Sequence, residues 1–237
     1  MKVHYPGKDL EVLAVASRYT QWVLQYFLPH VGGNTLEIGA GRGEIASRIL
    51  PKVSTLDLVE PSFVLAEFLQ QRFADSKITT IFPTTIETHL GKKISKKYDA
   101  IIMINVLEHI EDDVSALREL RKSLVPGGHL LIYVPAMPSL FSKLDKEHGH
   151  FRRYTRKKFI ERLQEAGFEI NLLRYFDTLG IIPWYVFNTL GGKTDFNPFA
   201  VKLYDSVGVP VTKFLEGIIP PPIGKNLIAV AKNTAEK

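Results

Sequence analysis

The chain has 237 residues, 45% of them hydrophobic and 23% charged, with 30 Lys and Arg against 25 Asp and Glu for a net charge of +5. That length suits one compact domain with an embellishment, and the composition is that of a water-soluble globular fold rather than a disordered or fibrous chain. Cysteine is absent, which excludes disulfides, thiolate nucleophiles and Cys-ligated metal and fits a cytoplasmic protein.

Taken in chain order, an amphipathic N-terminal cap helix is expected within about 8–28, clearest from Val12 to Leu28 and ended by Pro29 and Gly32-Gly33. Glu11, Arg18 and Gln21 interrupt its apolar residues, so no secretory leader is expected. Thr35–Ile38, Ser54–Glu60 and Ile78–Phe82 read as strands, with helices at Glu44–Leu50 and Ser62–Phe73. Tyr98–Ile104 is a continuous apolar run, the pattern of a strand buried on both faces. A helix at Val114–Leu124, a strand at His129–Val134 and a helix at Arg156–Ala166 follow, then strands at Phe168–Phe176 and Asn226–Ala231. This alternation predicts one α/β domain: a doubly wound, mostly parallel, seven-stranded sheet with helices on both faces, binding ligands beyond the carboxyl ends of its strands.

Residues 177–222 break the alternation. They are rich in aromatics, Pro and Gly, and hold Trp184, Tyr185, Phe187, Phe199 and Phe214. Such an apolar insertion could roof a pocket for an apolar acceptor, lie against a membrane surface, form a homodimer contact or simply extend the core. Its longest apolar run, Thr178–Leu190, contains Pro183 and is shorter than the roughly 20 residues of a membrane span. The modest positive charge could favour RNA, an anionic membrane or a phosphorylated substrate; ordinary surface lysines are the plainer reading.

Leu36–Ala46 reads LEIGAGRGEIA, a glycine turn between strand and helix. Gly39, Gly41 and Gly43 allow close approach of main chain to a ligand. A dinucleotide fingerprint would place its third glycine where this chain has Glu44, and a carboxylate there disfavours pyrophosphate. Glu60, at the end of the next strand, stands where an acidic side chain can accept both hydroxyl hydrogens of a ribose. Loop and acid together point to a phosphate-free nucleoside.

With LVEPS, YDAIIMINVLEHIEDD and LVPGGHLLIYVP following in that order, the chain resembles the class I S-adenosylmethionine (SAM)-dependent methyltransferases from Leu36 to Pro135. The flank DKEHGHFRRYT resembles bacterial small-molecule or lipid-directed members, similar to the quinone-pathway enzymes. The resemblance implies a Rossmann-like methyltransferase fold, SAM as methyl donor and S-adenosylhomocysteine (SAH) as product. It places Glu37, Gly39, Ala40 and Gly41 against the methionine portion, and Glu60, Pro61 and Ser62 around the ribose. Thr85 and Ile86 would meet the adenine, although an Asp common near Thr84 or Thr85 in relatives is missing. Asn105 and Val106 would pass the methionine end, with Arg18 and Tyr19 closing over the cofactor.

Methyl transfer from a sulfonium needs alignment, and a base only where the acceptor holds its proton. His109, just after the fourth strand, is the first candidate; His150 is the alternative, with Tyr154 orienting the acceptor. Arg152 and Arg153 could pair with a carboxylate or phosphate on the substrate, and Trp184 could line an apolar pocket. The quinone-pathway enzymes bind a divalent metal through E-x-x-E-H; here the first carboxylate is Asn105, a weaker ligand for a hard cation, so no metal is expected. Small or lipid-like substrates are favoured over RNA, and DNA is not expected: the fourth strand is followed by no N-P-P-Y or D-P-P-Y motif.

Overall fold

The computed structural model describes residues 16–91, 96–195 and 197–234. Seven strands form one sheet: β1 (Asn34–Ile38), β2 (Thr55–Val59), β3 (Thr79–Phe82), β4 (Tyr98–Ile104), β5 (Leu124–Pro135), β6 (Phe168–Phe176) and β7 (Asn226–Asn233). Their order is β3-β2-β1-β4-β5-β7-β6. β1 to β5 pair in parallel, and β7 runs antiparallel between β5 and β6. Every strand except β7 therefore ends at the same edge of the sheet, where a ligand is expected.

The helices are α1 (Ser17–Phe27), α2 (Glu44–Ile49), α3 (Phe63–Arg72), α4 (Ile86–Gly91), α5 (Asp113–Ser123), α6 (Lys143–Glu147) and α7 (Arg156–Glu165). The two-residue period of β4 divides its apolar side chains between two cores. Ile101 and Met103 join Leu117 and Leu120 of α5 and Phe159 and Leu163 of α7 on one face. Ala100 and Ile102 join Trp22 and Phe27 of α1 and Ile49 of α2 on the other. The expected doubly wound architecture is therefore present. The first helix among the described residues is Ser17–Phe27; the expected stretch from Val12 to Val15 lies outside the described residues.

The segment 177–222, expected as an apolar insertion between the last two strands, is largely helical. α8 (Ile181–Trp184) runs on as a π turn, Tyr185–Leu190. α9 (Pro198–Leu203) continues through a second π turn, Tyr204–Gly208, into α10 (Val209–Ile218), forming one rod. Asn197 caps its start by accepting from the Phe199 and Ala200 N–H groups, and Pro198 occupies the first turn, where its missing N–H is harmless. Among the described residues no helix is long and apolar enough to cross a membrane.

Candidate active site at the carboxyl edge of the sheet

The glycine turn leaves β1 with Gly39, Gly41 and Gly43 all at positive φ. At Gly39, φ is +73° and an added Cβ would sit 2.5 Å from Cγ2 of Val106, so the loop backbone lies against the chain leaving β4. Glu60, buried at the end of β2, locks this loop in place. Its Oε2 accepts from the Gly41 N–H at 2.8 Å and its Oε1 from the Ser62 N–H at 2.8 Å. Each oxygen keeps a second lone pair for a ribose hydroxyl. Ser62 is spent on capping α3, accepting from Leu65 N–H, and half-buried Pro61 precedes it.

Glu37 is buried, and its Oε2 has no hydrogen-bond partner. Burial, then the nearby Glu60 charge, hold its pKa well above the usual carboxylate range, against the lowering pull of the Ala46 backbone. An orphaned buried carboxylate oxygen beside a glycine loop is suited to a cationic group such as the methionine ammonium of SAM. The residues present thus fit SAM. They also explain why phosphates are disfavoured better than Glu44 does: Glu44 is paired with Arg48 at 3.0 Å and Arg72 at 2.7 Å.

Other expected cofactor contacts are differently placed. Ile86 is buried in the core, and the Thr85 hydroxyl accepts from Thr88 N–H at the start of α4, leaving mainly backbone groups there for an adenine. Asn105 is exposed at the end of β4 with φ +52°, its N–H donating to Tyr133 O, and Val106 is half-buried beside it. Arg18 and Tyr19 are engaged away from the glycine turn. Their N–H groups donate to Asp205 at 3.2 and 2.8 Å, and the Arg18 guanidinium donates to Ser206 O. The Tyr19 hydroxyl bonds Asp177 and Tyr133 and accepts from Asn226. Both residues fasten α1 to the insertion, and closing over a cofactor would require those bonds to break.

The EHGHFRRY run resolves into separate roles. Tyr154 is buried, its hydroxyl donating to Asp113 at 2.9 Å, which fastens it to the start of α5. Arg152 also pairs with Asp113 at 2.9 Å and donates to the Ile110 and Glu111 carbonyls. Buried Arg153 pairs with Asp145 at 2.9 Å, donates to Ala136 O and lies 4.5 Å from the Trp184 ring. The Trp184 indole N–H donates to Leu140 O. In this structure both guanidiniums have internal partners and Trp184 lies against Arg153, so receiving a substrate would require these contacts to rearrange.

His150 is the exception. Its Nδ1 meets Asp145 Oδ1 at 2.9 Å. Burial alone would raise the Asp145 carboxyl, but hydrogen bonds from His150 and Arg153 and the Arg153 charge hold it down at about 2. An ionised Asp145 favours the tautomer with a proton on His150 Nδ1, leaving Nε2 as an acceptor. Asp145 was not singled out in the sequence because it also completes a capping box with Ser142 in α6. The spacing D-x-x-x-x-H was its only signal.

The His109 ring stands perpendicular to His150 at 4.5 Å. Burial of the ring, then the neighbouring charges of His150 and His148, lower its pKa, although the residue's outer surface is exposed and solvent tempers that shift. Glu108 is fully buried, and neither carboxylate oxygen has a partner. One ligand atom from each of Glu108, His109 and His150 lies within 4.8 Å of the others. His150 thus brings a third donor to Glu108 and His109 that the E-x-x-E-H comparison did not include, and two imidazoles with one carboxylate are a donor set that could suit a divalent cation.

Burial lifts the Glu108 carboxyl from its ordinary 4.5 to about 8. The folded chain thus holds a proton that the unfolded chain has released, and its stabilising contribution, complete below about pH 4.5, is lost as pH rises through about 8. The Tm should fall across this window, and Glu108→Gln should flatten the fall. Parallel melting profiles for the two proteins would contradict the shift.

A family model described as a methyltransferase domain matches residues 14–173, and the chain belongs to that family. It is 26% identical over 157 residues to a tRNA U34 carboxymethyltransferase of Hydrogenovibrio crunogenus, covering 63% of this chain and 47% of the relative. It is 29% identical over 102 residues to a ubiquinone biosynthesis O-methyltransferase of Vibrio vulnificus, covering 42% of each. The chain spans about half the length of these curated relatives. Among solved structures, the fold is similar to the N-methyltransferase NodS of Bradyrhizobium japonicum in complex with SAH (TM-score 0.59, 17% identity, 92% of this chain and 86% of that one). It is also similar to a Haloferax volcanii complex of the Trm112 activator with a methyltransferase (TM-score 0.64, 12% identity, 97% and 95%). The class I methyltransferase fold expected from the sequence is the fold observed.

Proposed function

We propose that this chain transfers the methyl group of SAM to a small, apolar or lipid-like acceptor whose attacking atom carries a proton. The observation that carries the reading is the Asp145–His150 pair at the same sheet edge as Glu37 and Glu60. SAM supplies an activated methyl group on sulfur. Glu37 holds the ammonium, Glu60 the ribose hydroxyls, and His150 Nε2 takes the acceptor's proton as the attacking atom becomes a nucleophile. The His109 ring meets His150 edge-on at 4.5 Å.

The named relatives act on a tRNA and in ubiquinone biosynthesis, so the acceptor class is read from this chain. RNA is disfavoured because Arg152 and Arg153, the phosphate-binding candidates nearest the site, are engaged internally. A second reading comes from the convergence of Glu108, His109 and His150: these residues would hold a divalent cation that lowers the pKa of a bound acceptor hydroxyl.

The test is methyl transfer from labelled SAM to a mixed cell extract, with calorimetry for SAM, SAH and NAD. Label should enter the organic-soluble fraction, and SAM and SAH should bind where NAD does not. Label confined to RNA or protein would overturn the acceptor class, and no uptake of SAM would overturn the whole reading. Full turnover after exhaustive chelation would remove the cation.

A further inference from the structure

The rod formed by α9, its π turn and α10 has its polarity inverted. Asp205, Thr212 and Glu216 point inward and are buried. Asp205 accepts from the Arg18 and Tyr19 N–H groups; Glu216 accepts from Thr178 N–H at 2.8 Å and pairs with Arg174. Outward stand Phe199, Leu203, Val207, Val211, Phe214 and Ile218, with Phe199 76% and Phe214 67% exposed. Their spacing of three or four residues keeps them along one side of the rod. A surface helix of a freely soluble domain carries the opposite pattern.

Charge decides what such a face meets. Lys202 and Lys213 are exposed on the rod and Lys193 just before it, whereas both acids of the rod are turned inward. Between residues 177 and 222 only Asp195 offers an exposed carboxylate among the described residues. A second copy packed about a two-fold axis would bring these lysines together without exposed acids on the rod to receive them. A bilayer with anionic headgroups satisfies both halves: acyl chains cover the aromatic and aliphatic side chains, while phosphates receive lysines that extend toward the headgroups.

We propose that the outer face of the 198–218 rod docks the protein in the plane of an anionic lipid surface, without crossing it. The docking does not depend on the acceptor chemistry proposed above, and its readout needs no methyl transfer.

The full chain should co-sediment with phosphatidylcholine vesicles containing phosphatidylglycerol, less with phosphatidylcholine alone, and less as salt is raised. F199S/F214S/I218S and, separately, K202E/K213E should each weaken the partition about tenfold or more while leaving the SAM Kd and the melting profile unchanged. The proposal is overturned if the chain stays in the supernatant or the triple variant partitions like the parent. A dimer in light scattering that the triple variant dissolves would equally overturn it, assigning the face to a second copy.

Discussion

Replacing His150 by Ala should lower kcat about 100- to 10,000-fold while leaving the SAM Kd nearly unchanged, the effect of losing a positioned base that contacts only the acceptor. The imidazole is unusually well fixed for a residue on a loop. Asp145 receives Nδ1 on one oxygen, and the other accepts from the Ser142 N–H and hydroxyl, both at 2.8 Å. The following residue is tied down by Phe151 N–H donating to Glu108 O. Replacing His109, which has no such carboxylate behind it, should slow turnover less. Single-turnover rates separate the possibilities: a raised KM with unchanged kcat would make His150 a binding residue, and an unchanged kcat/KM would remove it from the reaction.

Glu60→Ala should weaken SAM binding by about 1–3 kcal/mol, the range for stranding buried polar partners, or about five- to 150-fold in Kd. Two losses combine. The ribose hydroxyls lose their acceptor, and the Gly41 and Ser62 N–H groups lose theirs, which releases the glycine turn. Glu60→Gln is not a gentle control here. Both carboxylate oxygens face backbone N–H groups, so one of them would confront the new amide NH2 donor-to-donor. Calorimetry on both variants tests this; a Gln variant with parental affinity would show that the two backbone bonds contribute little.

The sheet was legible in the sequence because buried parallel strands read as short apolar runs. All seven expected strands are present, β4 with the bounds read from YDAIIMI. The placement of the glycine turn and of Glu37 and Glu60 was legible for the same reason, since they occupy fixed positions relative to β1 and β2. The acceptor half was not. Tyr154 and Arg152 look reactive in sequence, and only the fold brings Asp113, about 40 residues away, against both. The rod is hard to read from sequence because Pro198, Gly208 and Pro210 look like breakers, and only Tyr204 and Val209 mark an apolar inward side, against six apolar residues that face outward. The π turn before Val209 widens the coil where Pro210 withholds its N–H.

Phe176 and Asn226 face each other on one rung of the β6–β7 ladder, although residues 177–225 lie between them. In topological terms that whole excursion is an overgrown hairpin loop, leaving and rejoining the scaffold at a single point. Its length is then nearly free to vary, because closing a loop twice as long costs only about 0.6 kcal/mol more. A lineage could exchange this cassette without re-registering any strand, provided the newcomer replaced its ties to the scaffold: the carboxylate that receives the Arg18 and Tyr19 N–H groups, the Trp184 bond to Leu140 O, the Glu216 partner of Arg174 and the Val209 side chain in the core.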